Sequence, residues 1–207
     1  MTGQISAAQV KSLRDETGAG MMDCKRALTE SGGDPEAARD LLRRWGVAGV
    51  AKRATRVATE GVVAAYLHQL GEMPPRVGAL VELDCETDFV AKTDEFRQLA
   101  RDIVVHVAAM APRWIKRDEV PQEYLDQELK RVQVDMEWLA DEAPHVAERE
   151  ADHRLDEALG EAGGVLLEQP FVKDPSKTVG ELIGEVAAGV KENVVVRRIC
   201  RFKIGEG

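Results

Sequence analysis

ELDCETDFVAK, Glu82 to Lys92, begins as a strand and ends as something else. From Val77 onward, Val77, Ala79, Val81, Leu83 and Cys85 alternate with Gly78, Leu80, Glu82, Asp84 and Glu86. One apolar face and one mostly polar face mark a half-buried strand. The alternation stops at Thr87-Asp88-Phe89, and a helical pattern starts within a few residues. Phe89 therefore stands at a strand-to-helix junction beside a carboxylate. From the pattern alone it can turn into the core or stand out from the surface.

Upstream, Gly61–Leu70 reads as a partner strand. It is separated from Val77–Cys85 by the Gly/Pro-rich link GEMPPR (Gly71 to Arg76), so an antiparallel hairpin is expected. Before it, residues 5–46 read as three short helices. Val10 and Leu13 face inward on the first, and Met21, Cys24 and Leu28 on the second. The third starts at an Asp34 N-cap followed by Pro35, carries Ala38, Leu41, Leu42 and Trp45 on one face, and is expected to close at Gly46. Val47–Arg56 is read as a further helix or a helical linker. The domains are drawn at residues 1–56, a three-helix N-terminal bundle with its linker, and 57–207, a core.

Downstream, residues 93–110 place Phe96, Leu99, Ile103, Val107 and Met110 on one helical stripe. A second helix begins near Pro121, with Leu125, Leu129, Val132, Met136 and Leu139 as about two heptads of an a/d seam. A third follows Pro144 and ends at Gly163-Gly164. Val165–Phe171 reads as extended, Ser176–Val190 as a helix, and Val194–Ile204 as the last strand. That strand puts Val196, Cys200, Phe202 and Ile204 on one face and Arg197, Arg201 and Lys203 on the other. Strands are not regularly interleaved with helices, so the class is α+β, a small antiparallel sheet packed by helices.

The chain has 207 residues, 44% apolar and 31% charged, which suits a soluble globular protein. No apolar run approaches a membrane span, and the N-terminus lacks a signal-type apolar segment, so a cytoplasmic location is expected. The net charge of −9 is uneven: residues 118–161 hold fifteen acids and four bases. Nucleic acid is thus a poor partner, since phosphate binding needs a basic footprint. Cys24, Cys85 and Cys200 form no CxxC pair, and the four histidines have no ligand spacing, so no metal site is expected. The odd cysteine count leaves one thiol that could pair between subunits. No nucleotide loop is present, and Thr17-Gly18-Ala19-Gly20 reads as an interhelical turn. Glu86 and Asp88 could do acid–base work but lack convergent partners in sequence. Lys11, Arg14 and Lys25 decorate the first two helices. Met21 and Met22 cannot both face the core of so small a bundle, and an exposed Met suits an adaptable binding surface.

LRDETGAGMMDCKRAL (Leu13–Leu28) and ELDCETDFVAK (Glu82–Lys92) closely resemble the two signature segments of the bacterial elongation factor Ts family. LLEQPFVKDPSKTVGEL (Leu166–Leu182) and VRRICRF (Val196–Phe202) resemble its C-terminal part, while residues 113–160 match only loosely. The resemblance implies a nucleotide-exchange factor for the translational GTPase elongation factor Tu, with a ubiquitin-associated-like N-terminal domain and no bound nucleotide or cofactor. It assigns Thr87, Asp88, Phe89 and Val90 to displacement of Mg²⁺ in the GTPase. It assigns Lys11, Arg14, Met22 and Lys25 to the grip of the N-terminal domain on that partner. The chain has a single core subdomain, as in the short members that work as homodimers, with a cysteine at the position of Cys200. An adaptor that binds without affecting nucleotide, and an acid–base enzyme built on Glu86 and Asp88, are the other readings.

Overall fold

A computed structural model describes residues 5–17, 19–135 and 144–206. It is α+β, with helices around a small antiparallel sheet. The chain forms two compact units. The first gathers Met1–Gly61, Asp84–Arg97 and Ile183–Val195, and the second Val62–Leu83, Gln98–Leu182 and Val196–Gly207.

In the first unit, α1 (Ala7–Thr17), α2 (Met21–Glu30) and α3 (Pro35–Arg53) share a core of Val10, Leu13, Cys24, Ala27, Leu28 and Ala38. Trp45, Leu41 and Leu42 pack against it, and the Arg26 guanidinium lies 3.7 Å from the Trp45 ring centroid. Gly32 and Gly33 take positive φ (66° and 93°). The Gly33 N–H reaches Leu28 O at 2.8 Å and the Gly32 N–H reaches Thr29 O, a Schellman stop for α2. Asp34 then caps α3 by accepting from the Glu36 and Ala37 N–H groups, with Pro35 at the first position. Gly46 does not close α3 as expected. It stays helical, and the helix runs on to Arg53, so the linker is its C-terminal part. The residues after Gly46 include no proline and end on Lys52 and Arg53, whose charge suits a helix C-terminus.

In the second unit the sheet order is β1-β2-β5, with β1 (Glu60–His68), β2 (Val77–Cys85) and β5 (Val195–Lys203). Ala79, Val81 and Leu83 of β2 are buried, while Leu80 between them is exposed. On β1, Val63 and Leu67 are exposed, while Val62, Ala64 and Tyr66 are half-buried. On β5, Arg198 pairs with Glu82, which places Arg198, Cys200 and Phe202 on the open face with Leu80. Phe202 and Ile204 are exposed, whereas Arg201 on the other side is mostly covered and donates to Ala108 O at 3.0 Å. On the apolar side of the last strand Val196 is buried but Phe202 and Ile204 point out, and the basic side supplies Arg201 to the Ala108 carbonyl near the end of α5 (Asp94–Met110).

Helices α6 (Gln122–Asp135) and α7 (Pro144–Gly160) meet around Val120, Leu159, Val165, Leu125 and Leu155. Met136 and Leu139 of the expected seam lie outside the described residues. The stretch read as extended holds a 3-10 turn at Leu166–Glu168 before the short strand β3 (Pro170–Phe171). Asp174–Thr178 is a strand, β4, pairing antiparallel with β3, so the helix expected from Ser176 begins only at Val179 (α8, Val179–Val190). The Pro170↔Thr178 pairing holds these residues extended until the Thr178 hydroxyl accepts the Glu181 N–H at the helix start.

Two constraints fix this unit. At Gly164 an added Cβ would lie 2.1 Å from Leu159 O, because the Val165 N–H bonds that carbonyl at 2.7 Å. On α5 the buried His106 accepts the Val172 N–H at Nδ1 (3.2 Å), so Nε2 carries the proton and donates to Gln169 Oε1 (2.9 Å). Gln169 Nε2 donates onward to Glu161 O at 2.7 Å. Burial pushes the imidazole below its ordinary value of about 6.5.

Gly164→Ala should lower stability by about 1–3 kcal/mol, read as a drop in the denaturant midpoint, because backbone atoms must shift. The folded His106 resists protonation while the unfolded chain accepts it near pH 6.5. Its contribution is therefore full above about pH 6.5 and is lost as pH falls through the window down to the lowered folded value. His106→Leu should be less stable at neutral pH but show a shallower decline of unfolding midpoint with acidification.

Candidate partner-binding site

The end of β2 is held from inside by Val81, Leu83 and Cys85, all fully buried. Burial pushes the Cys85 thiol up to about 11, which makes it an inert donor to Thr87 O at 3.2 Å rather than a nucleophile. Thr87 is the N-cap of a one-turn helix, α4 (Asp88–Ala91), and its hydroxyl oxygen accepts the Val90 N–H. The same hydroxyl donates to Glu192 Oε1 at 2.6 Å, and the Glu86 and Thr87 N–H groups both donate to Glu192 Oε2 at 3.0 Å. Thr87 O also accepts from the Ala91 N–H. Every polar atom of Thr87 is engaged.

From this anchored turn Phe89 stands out, 78% exposed. Val90 is half-buried and Ala91 buried, so α4 has one inward edge and one outward residue. Asp88 pairs with Lys92 one turn on. That hydrogen bond holds its carboxyl below the usual range, so it stays ionised at neutral pH. Glu86 is occupied differently: its Oε1 accepts the Asn193 N–H at 2.7 Å, and Arg56 lies 3.4 Å away. It braces the turn.

Lys11, Arg14, Met22 and Lys25 are all exposed on α1 and α2, in the same compact unit as Phe89. Met22 is 72% exposed, and Met21 is exposed as well. Cys24 and Leu28 take core positions as expected, but Met21, expected to face inward with them, does not. Cys200 is a half-buried free thiol in the second unit. Glu192 and Asn193 went unnoticed in the sequence. They follow α8 by a few residues, and no periodicity marks them.

Among the described residues, no group of three or more His, Cys, Asp or Glu side chains converges, and no helix is long and apolar enough to cross a membrane.

The family model described as Elongation factor TS matches residues 37–206. Elongation factor Ts of Carboxydothermus hydrogenoformans is 48% identical over 204 residues, 98% of this chain and 90% of that protein. The protein of the same name from Moorella thermoacetica is 48% identical over 205 residues, 98% and 97% of the two chains. That of Anaeromyxobacter sp. strain Fw109-5 is 45% identical over 205 residues, 99% and 90%. Matched along nearly its whole length, the chain belongs to the elongation factor Ts family.

Proposed function

We propose that this protein is a nucleotide-exchange factor that binds elongation factor Tu in the cytoplasm and speeds GDP release during polypeptide elongation. The observation that carries the reading is a phenylalanine 78% exposed on a turn whose base, Glu86 and Thr87, is hydrogen-bonded to Glu192. Exposing so much apolar surface has no use within the chain, and a rigid aromatic is suited to anchor an interface because it brings large area at low side-chain entropy cost. Phe89 enters the GTPase near its nucleotide and magnesium site, Asp88 brings an ionised carboxylate beside it, and Thr87 and Val90 set the turn. Lys11, Arg14, Met22 and Lys25 hold a second part of the GTPase. The driving force is linkage: a partner that prefers the nucleotide-free GTPase weakens GDP binding by the same factor. No covalent step and no bound cofactor of its own is needed.

The working unit is a homodimer formed on the open face of the sheet. Val63 and Leu67 of β1, Leu80 of β2, and Phe202 with Ile204 at β5 are exposed apolar side chains of the sheet that also carries Cys200. Several exposed large apolar residues on one sheet suit an interaction surface.

Phe89→Ala should slow GDP release from elongation factor Tu at least about tenfold, since truncated aromatic anchors typically cost about 2 kcal/mol or more. Its thermal unfolding should match the parent, because the side chain touches little within the chain. Release of labelled GDP in a stopped-flow instrument checks both this and the adaptor reading, which requires binding with unchanged release. Phe202→Asp should convert a two-chain mass in light scattering to a one-chain mass with circular dichroism preserved. A one-chain mass for the parent protein at micromolar concentration would remove the dimer.

A further inference from the structure

We infer that Glu192 is a positioning residue for exchange: its carboxylate aims Phe89 by holding the Thr87 turn, and its two neighbours tie that turn to the rest of the binding surface. The inference rests on the exchange-factor reading and adds to it a residue outside both signature segments. Three consecutive side chains beyond α8 each take a different neighbour. Lys191 Nζ lies 3.2 Å from Asp23 Oδ2 on α2, beside Met22 and two residues before Lys25. Glu192 accepts three hydrogen bonds from Glu86 and Thr87. Asn193 donates its N–H to Glu86 and its Nδ2 to Ala54 O (3.3 Å) and Arg56 O (2.8 Å), where the chain leaves α3. All of these residues belong to the first compact unit. The two elements expected to touch the GTPase, the α2 surface and the Phe89 turn, are thus fastened to one tripeptide.

The backbone adds an independent sign. Lys191 has φ of 61°, the left-handed conformation that usually ends a helix on glycine. A lysine there is strained and persists only where its surroundings over-determine it. A glycine would end α8 with less strain but could not reach Asp23. The exposed Lys191–Asp23 pair is weak as a stabilising contact. What the arrangement achieves is geometric: it fixes where α2 lies with respect to the turn. Glu192 also exceeds what capping α4 requires, since Thr87 already accepts the Val90 N–H.

The test compares Glu192→Ala, Glu192→Gln, Phe89→Ala and the double variant by release of labelled GDP from elongation factor Tu, titrated to saturation. A loosened turn should lower the maximal release rate about tenfold or more, since small misplacements of a working group are costly, while the half-saturating concentration changes less than about threefold because α1 and α2 still dock. Glu192→Gln keeps an acceptor for the two N–H groups and should restore most of the rate. In the Phe89→Ala background, Glu192→Ala should slow release no further, because a residue that acts through Phe89 has nothing left to position. A further loss in that background, or a parental rate for Glu192→Ala where Phe89→Ala is slow, overturns the inference and leaves the exchange reading standing. A parental rate for Phe89→Ala overturns the exchange reading itself. Should Glu192→Ala fail to fold, Glu192→Asp keeps the charge and leaves the Thr87 cap on Val90 in place but falls short of the turn. The same loss of maximal rate is then expected, and its absence overturns the inference.

Discussion

A strand that ends inside a folded protein leaves polar backbone that must find partners, and the end of β2 is where this constraint governs the molecule. The Glu86 and Thr87 N–H groups lie just beyond the last β2 residue and are half-buried. Left unmade, each bond would cost about 1–3 kcal/mol. One carboxylate from a distant loop meets both. That single solution fixes where α8 must stop, why Lys191 takes a conformation usually left to glycine, and why Asn193 reaches back to the end of α3. Few of these residues are apolar. The turn is placed by hydrogen bonds, while the strand behind it is placed by burial.

The second unit divides its work in a comparable way. Apolar burial selects which side of the sheet faces α5, but the connections are set by close backbone approaches and one buried polar chain. Gly164 allows the chain to bond a Leu159 carbonyl that a Cβ would strike, and the Gly163 N–H reaches Met110 O at the end of α5. His106, Gln169 and the Glu161 carbonyl then form a relay in which every bond has one possible direction once Nδ1 accepts from Val172. A buried network satisfied in this manner specifies one arrangement, because a shifted register would strand polar groups. The sheet is left free to keep Leu80 and Phe202 exposed on its other face.

Features carried by local pattern were legible in the sequence, and those carried by distant contacts were not. Alternation in Val77–Cys85 gave Ala79, Val81, Leu83 and Cys85 as buried but missed Asp84, and Asp34-Pro35 gave the start of α3 to the residue. Gly46 misled because a glycine ends a helix only when it adopts positive φ, and nothing local forces that here. Asp174–Thr178 misled because its strand character comes from pairing with β3, while its residues have weak strand propensity. The alternation of the last strand grouped its residues by side, but which side is covered changes along it: Val196 is buried and Phe202 exposed, while Arg201 meets α5. Glu192 was invisible for a sharper reason. Its partners lie more than a hundred residues away, and a glutamate after a helix looks like an ordinary surface residue until the donors it accepts from are counted.

Phe89 and Phe96 show how little sequence is needed to give two like residues opposite fates. Seven apart, they would share one face of a continuous helix, and both would be buried or both exposed. The helix is not continuous. α4 ends at Ala91 and α5 begins at Asp94, with Thr93 between them. The Thr93 hydroxyl donates to Val90 O at 2.8 Å and accepts the Phe96 N–H at 3.3 Å, closing one helix and starting the next. The break re-sets the rotation about the axis. Phe96 becomes fully buried, and Phe89 is released to solvent. The proposed anchor has a fixed stem and a free tip. The stem comes from Thr87 on one side and Thr93 on the other, and the exposed ring is the consequence of keeping those two caps only six residues apart.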